Sequence, residues 1–144
     1  MSINEEAACQ DYLLTYLQAD ATLMALLQSG VWLRSVPQSA SFPAVKIDRQ
    51  DSSDLHVVGL HRVWADLSFL VRGIVHWRGG GQPDWADARA IGDRLDTLLH
   101  DHEEQTATLQ VHSFREESWT DETIESSDLF LHVGGIYRVR ARAV

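Results

Sequence analysis

The sequence predicts an α+β fold: a mostly antiparallel four-stranded sheet, helices packed on one face, and an N-terminal helical region. Three observations lead there. Residues 60–77 and 129–143 alternate apolar and polar side chains with the period of a half-buried strand. Residues 83–100 carry apolar side chains at helical spacing. Links of hairpin length join some of the strands, which favours antiparallel or mixed pairing because parallel neighbours need a long crossover.

The helical region comes first. From about Asn4 to Leu17, the residues Ala8, Leu13 and Leu17 stand among polar neighbours near helical spacing. Asp20 suits the N-cap of "ATLMALLQ", and Gly30 suits its C-terminal stop. The passage "VPQSASFPAVKI" (36–47) is the stiffest connector in the chain, because Pro37 and Pro43 hold Val36 and Phe42 extended. It leads into a strand in which Val45 and Ile47 share one face and Lys46 and Asp48 the other. "DSSD" at 51–54 predicts a turn or tip.

The strongest strand signal follows. Val63, Ala65, Leu67, Phe69, Val71 and Val75 fall on one face, with Trp64, Asp66, Ser68, Arg72 and His76 on the other. A bend or bulge is expected near Gly73. "RGGGQPD" breaks the strand, and a helix runs from Pro83 or Asp84 to His100 with an apolar stripe of Ala88, Ile91, Leu95, Leu98 and Leu99. Two strands finish the chain, one over 106–115 with Leu109 and Val111 inward, and one over 129–143. Between them "EESWTDETIESSD" (116–128) reads as a long acidic hairpin loop.

At 144 residues the chain is long enough for a core of its own and reads as one domain, 1–144. A net charge of −9 argues against a general nucleic-acid binder, which carries a basic surplus. Cys9 is the only cysteine, so neither an internal disulfide nor a cysteine-based zinc site can form. The acidic start "MSINEEAACQ" is unlike a secretory leader, and no apolar run approaches the ~20 residues a membrane span needs. These features suit a reducing cytoplasm and no membrane.

No motif for catalysis stands out. "HDHEE" (100–104) is the densest set of potential metal ligands, yet its histidines sit at a helix end and diverge, without a zinc spacing. "RGGGQPD" lacks the Gly-Lys-Ser/Thr of a phosphate loop, and Asp84 and Asp87 would repel an anion there. His56, His61, His76, His112 and His132 are scattered, and no G-x-S-x-G elbow is present. Cys9 reads as a small buried side chain. The sequence therefore assigns no catalytic, metal or cofactor residue, and predicts a protein that is not an enzyme.

Charge is arranged more tellingly. Arg138, Arg140 and Arg142 alternate and so project from one face of the last strand. The acidic segment offers Glu116, Glu117, Asp121, Glu122, Glu125 and Asp128, with Trp119 among them. Row and loop can meet between copies in a head-to-tail ring, or simply be solvated or pair within one chain. Tryptophans at strand faces, ends and loops favour an interface. The candidate contacts with neighbouring subunits or a partner are Arg138, Arg140, Arg142, Glu116, Glu117, Trp119, Asp121 and Glu122.

The run "LQADATLMALLQSGVWLRSVPQSASFPAVKI" (17–47) resembles the opening of the tail terminator, or tail completion, proteins of long-tailed phages and gene transfer agents. The likeness rests on an "AD..L.ALL" helix and a "V(W/Y)...VPQ.A.FP.V.I" passage into the first strand. In element order it continues through "HRVWADLSFLVRGI", an "A..I...L..LL" helix and two last strands. The acidic 116–128 segment is a departure, longer than a tight hairpin needs. The resemblance implies a structural virion protein that forms a hexameric ring on the head-proximal end of the tail tube. Such a ring stops tube polymerisation, binds the tail tube protein and docks on the head connector or stopper protein. Genomic DNA passes through it transiently, without sequence-specific binding, and assembly takes place in the host cytoplasm. The alternatives are another neck or connector adaptor protein, or a small metal-dependent enzyme or ligand-binding module built on the histidines and carboxylates of 100–112.

Overall fold

The computed structural model describes residues 5–37, 39–56, 62–125 and 127–144. The chain runs α1 (Glu5–Gln18), α2 (Ala21–Ala25), β1 (Gly30–Leu33), β2 (Ala44–His56), β3 (Arg62–Trp77), α3 (Ala86–Leu99), β4 (His102–Gln105), β5 (Leu109–Glu125) and β6 (Asp128–Ala143). Among the described residues the strands form one sheet in the order β1-β2-β3-β6-β5-β4. β1 pairs with β2 in parallel, and every other pairing is antiparallel.

The α+β class stands, but the four-stranded sheet does not: the sheet has six strands and is mixed. Two short edge strands account for the difference. Gly30, expected to end a helix, has φ +94 and instead opens β1, whose four residues pair with Ala44–Ile47. The N-terminal third is therefore not purely helical. "HDHEE" is a helix end only at His100, the C-cap of α3, and becomes a strand from His102. α3 stops at Leu99, Asp101 takes φ 53, and His102–Gln105 pair with Gln110–Ser113. Neither edge strand has an alternating apolar face, because backbone pairing on one side is what holds it.

Two expected loops are also strand. Asp51, Ser52, Ser53 and Asp54 pair with Ser68, Leu67, Asp66 and Ala65 in β2 and β3. The acidic 116–128 segment continues β5 through Glu125, pairing with β6 from Glu117↔Ile136 to Glu125↔Asp128. A bulge between Arg115 and Glu117 shifts its register. The expected helix start at Asn4, the strand start at 60, and His61 lie outside the described residues.

The core lies between one sheet face and the helices. Cys9, Leu13 and Leu17 of α1 and Ala88, Ile91, Leu95 and Leu99 of α3 are buried against Val45, Ile47, Leu67, Phe69, Val71, Leu131, Tyr137 and Val139. Burial pushes the Cys9 thiol up to about 12, so it serves as an apolar filler. α3 approaches the sheet closely through two glycines. A Cβ on Gly73 would collide with Ile91, and one on Gly92 would lie 2.5 Å from Val133 Cγ1.

Polar ties fix the helices. Asp20 caps α2 by accepting from the Leu23 N–H at 2.8 Å, and Arg94 of α3 donates to both its oxygens at 2.9 and 2.7 Å. The Arg94 guanidinium holds the Asp20 carboxyl below its usual range. On α1, the Tyr12 hydroxyl donates to Glu104 Oε1 at 2.6 Å and lies 2.7 Å from His102 Nε2. Tyr16 stacks on His102 with ring centres 4.3 Å apart, which latches α1 to β4.

Candidate functional site: the open face of the sheet

Alternation turns the odd-numbered side chains of β3 and β6 toward α1 and α3 and the even-numbered ones away. On the face away from the helices lie Asp66, Ser68, Arg72 and His76 of β3, and Phe130, His132, Arg138, Arg140 and Arg142 of β6. The sheet curls around this face, and Asp66, Ser68 and His132 are buried within it.

Asp66 organises the arginine row. Arg138 donates to Asp66 Oδ2 at 2.8 Å and to Glu116 Oε1 at 3.1 Å, bridging β3 and β5 across β6. Arg140 stands 4.0 Å from Asp66 Oδ1, with its guanidinium 6.0 Å from the centre of the Phe114 ring. Arg142 donates to Gln110 at 2.7 Å and lies 4.8 Å from the centre of the Trp64 ring. Arg138 is thus committed inside the chain, whereas Arg140 and Arg142 stay exposed, held by aromatic faces and one amide.

The structure brings most of the predicted contact residues to this face. Glu116 reaches Arg138, and Glu117 and Asp121 pair with Ile136 and His132. Trp119 packs under Arg72, 5.1 Å from ring centre to guanidinium, and meets His132 edge-on at 6.1 Å. Glu122 pairs with Leu131 and therefore points to the opposite face, apart from the arginine row.

The stiff connector forms a wall of the site. The Phe42–Pro43 peptide bond is cis, and Gln28 N–H donates to the Pro43 carbonyl at 2.8 Å. Phe42 meets the Phe130 ring edge-on at 5.1 Å, and Val36 and Phe42 enclose a cleft of about 330 Å³ with Lys46, Arg72, Phe130 and His132. Lys46 and Arg72 each lie 3.5 Å from the same Asp48 oxygen, so two cations share one carboxylate. Burial, then Arg72, pushes the His132 imidazole down to about 4 and keeps it neutral at neutral pH. Its Nε2 meets Thr123 Oγ1 at 3.0 Å, and its Nδ1 has no hydrogen-bond partner among the described residues.

A second cleft, of about 550 Å³, opens between β3 and β4 beside Trp64, Glu103, Glu104, His112 and Arg140. The histidines of the 100–112 region do not converge in it. His100 accepts from the Arg115 N–H at 3.0 Å, His102 stacks on Tyr16, and His112 lies 3.2 Å from Asp101. Among the described residues no group of three or more His, Cys, Asp or Glu is arranged to hold a metal ion. No described helix is long and apolar enough to cross a membrane.

Sequence reasoning missed Lys46, Arg72, Phe42, Phe130 and His132 as a set. Alternation places each on a face, but only the register, with Lys46 opposite Arg72 and Ile74 opposite His132, shows that the faces coincide.

No protein-family model matches the chain, and neither does any curated protein. A solved structure does: a chain of the "Virion of native gene transfer agent (GTA) particle" superposes with a TM-score of 0.65. The match covers 88% of this chain and 89% of that one at 18% sequence identity. This chain therefore shares its fold with a chain of a native gene transfer agent virion.

Proposed function

We propose that this chain is a structural virion protein that caps the head-proximal end of a phage or gene transfer agent tail tube. Six copies form a ring that ends tube polymerisation and presents the surface joining tail to head. The observation that carries this reading is the fold shared over 88% of the chain with a gene transfer agent virion chain. The tail-terminator pattern of residues 17–47 supports the finer role. Its partners are further copies of itself, the tail tube protein and the head connector or stopper. DNA passes through the ring without sequence-specific binding, in keeping with a net charge of −9. Assembly takes place in the host cytoplasm.

The open face supplies the contacts. Arg140 and Arg142 are exposed cations on the central strand β6, and Glu117, Trp119 and Asp121 share their face farther along the sheet, level with Ile136, Gly134 and His132. Arg138 and Glu116, paired with each other, hold the face in shape. Glu122 serves the neighbouring contact from the other side of the same strand. The role is structural and not catalytic, a reading supported by the separate engagements of His100, His102 and His112.

The test is particle assembly with the exposed Arg140 and Arg142 both changed to Glu, Arg138 being kept because it holds Asp66 and Glu116 within the chain. Tails are expected to overgrow or fail to join heads, and normal tails joined at normal yield would remove the row from the mechanism. Imaging of wild-type particles should show the protein between tube and head connector. Density on the head side of the connector would assign it instead to the adaptor class.

A further inference from the structure

The two margins of the sheet are stepped in opposite senses. On one, β1 covers only Ala44–Ile47 of β2 and leaves 48–56 without an outer strand among the described residues. On the other, β4 covers only Gln110–Ser113 of β5 and leaves 114–125 uncovered. The register shows how the steps align. Ala44 is level with Ile74, Ile74 with His132, and His132 with Asp121, so β1 stands level with the uncovered end of β5. Asp54 is level with Ala65, Ala65 with Ala141, and Ala141 with Val111, so the uncovered part of β2 stands level with β4. At the level of β1 and at that of β4, one margin carries an additional strand and the other lacks one.

We propose that a second copy of this chain fills these steps, with the four residues of β1 of one copy adding antiparallel to β5 of the next within residues 117–125, at the level of Ser118–Asp121. The direction follows from the pairing. β1 runs with β2, three antiparallel pairings make β2 opposite to β5, and rotation about an axis along the strands preserves both directions. Strand addition satisfies the outward N–H and C=O groups that an uncovered strand presents.

The side chains are matched as well. The same chain of pairings sets Leu33 level with Ser118, and so Arg34, the next residue, level with exposed Glu117. Arg34 is an exposed cation with no ion pair among the described residues. The acidic side chains of β5 and its bulge at Arg115/Glu117 discourage unselective pairing and keep free copies apart. The contact joins two different patches, so it propagates in one sense and makes a ring where the rotation between copies closes. The inference rests on the ring reading and names the strands that make the ring.

Hydrogen exchange and proline substitution test it together. In assembled wild-type protein, outward amides within 117–125 are expected to exchange at least about tenfold more slowly than in monomer. Thr120→Pro and Asp121→Pro form an internally controlled pair, since one removes an N–H aimed at β6 and the other an N–H aimed outward. The variant that keeps the monomer's melting temperature is the outward one, and it is expected to sediment as monomer at concentrations where wild type assembles. Wild-type oligomers without protection at 117–125, or normal assembly of the folded proline variant, would overturn the strand pairing while leaving a ring intact. Absence of oligomers both in concentrated solution and on tube ends would overturn the ring reading itself.

Discussion

Removing the Arg138 charge is the most direct probe of how the open face is held. Asp66 is 8% exposed, and its Oδ2 receives one hydrogen bond, from Arg138 at 2.8 Å. Among the described residues its Oδ1 has no hydrogen-bond partner, and the nearest other cation is Arg140 at 4.0 Å. Arg138→Met keeps the stem and deletes the guanidinium, which leaves a buried carboxylate facing a distant charge. Stranding a fully buried ion costs about 3–5 kcal/mol. Arg140 stays within reach and the Arg138 side chain is 26% exposed, so the expected loss is about 2 kcal/mol. For a chain of this size that is a fall of about 6 °C in melting temperature. Asp66→Asn on top of Arg138→Met removes the stranded charge and should recover about half the loss. Thermal unfolding and urea titration of both variants give the numbers. A single variant within about 0.5 kcal/mol of wild type, or a double variant no better than the single, would show that Asp66 is not held by Arg138.

Other outcomes follow from the packing and the titrating groups. Gly92→Ala should be destabilising by about 1 kcal/mol or more despite the helix preference for alanine, because the new methyl lies 2.5 Å from Val133 Cγ1. Val133→Ala should relieve it, as calorimetry of the pair would show. Asp20→Ala should cost about 1 kcal/mol through the α2 cap alone, read as a lower urea midpoint. His132 is lowered to about 4 in the fold, so between that value and the ordinary 6.5 the unfolded chain binds the additional proton. Stability should therefore rise with pH across this window, with a slope of up to about 1.4 kcal/mol per pH unit from this residue. His132→Gln should flatten that part of the urea midpoint profile, and an unchanged profile would show that His132 is not shielded.

The elements that faced a core were legible. Ala88, Ile91, Leu95 and Leu99 announced α3, the alternation from Ala65 to Val75 announced β3, and Asp20 announced its own cap. What escaped notice was held by backbone alone. His102–Gln105 and Glu116–Glu125 bury almost no side chain, so no apolar period marks them, and only pairing with β5 or β6 makes them strands. β1 was obscured by its length and by a glycine that suits either a helix stop or a strand start. The arginine row was visible because alternation alone decides its face. Asp66 and the cleft behind Phe42 depend on cross-strand register, which one strand's sequence does not contain.

The position of β6 bears on how the protein is made. It is the last strand in the chain but sits in the middle of the sheet, between β3 and β5. Until it leaves the ribosome, β1–β3 and β4–β5 remain two separate strips with open inner edges. α1 can seat early on β1 and β3, but its latch on His102 and its contacts with β6 come only from the second half of the chain. Nascent chains should consequently be most vulnerable to chaperone capture and proteolysis just before synthesis ends, and become resistant in one step when the central strand inserts.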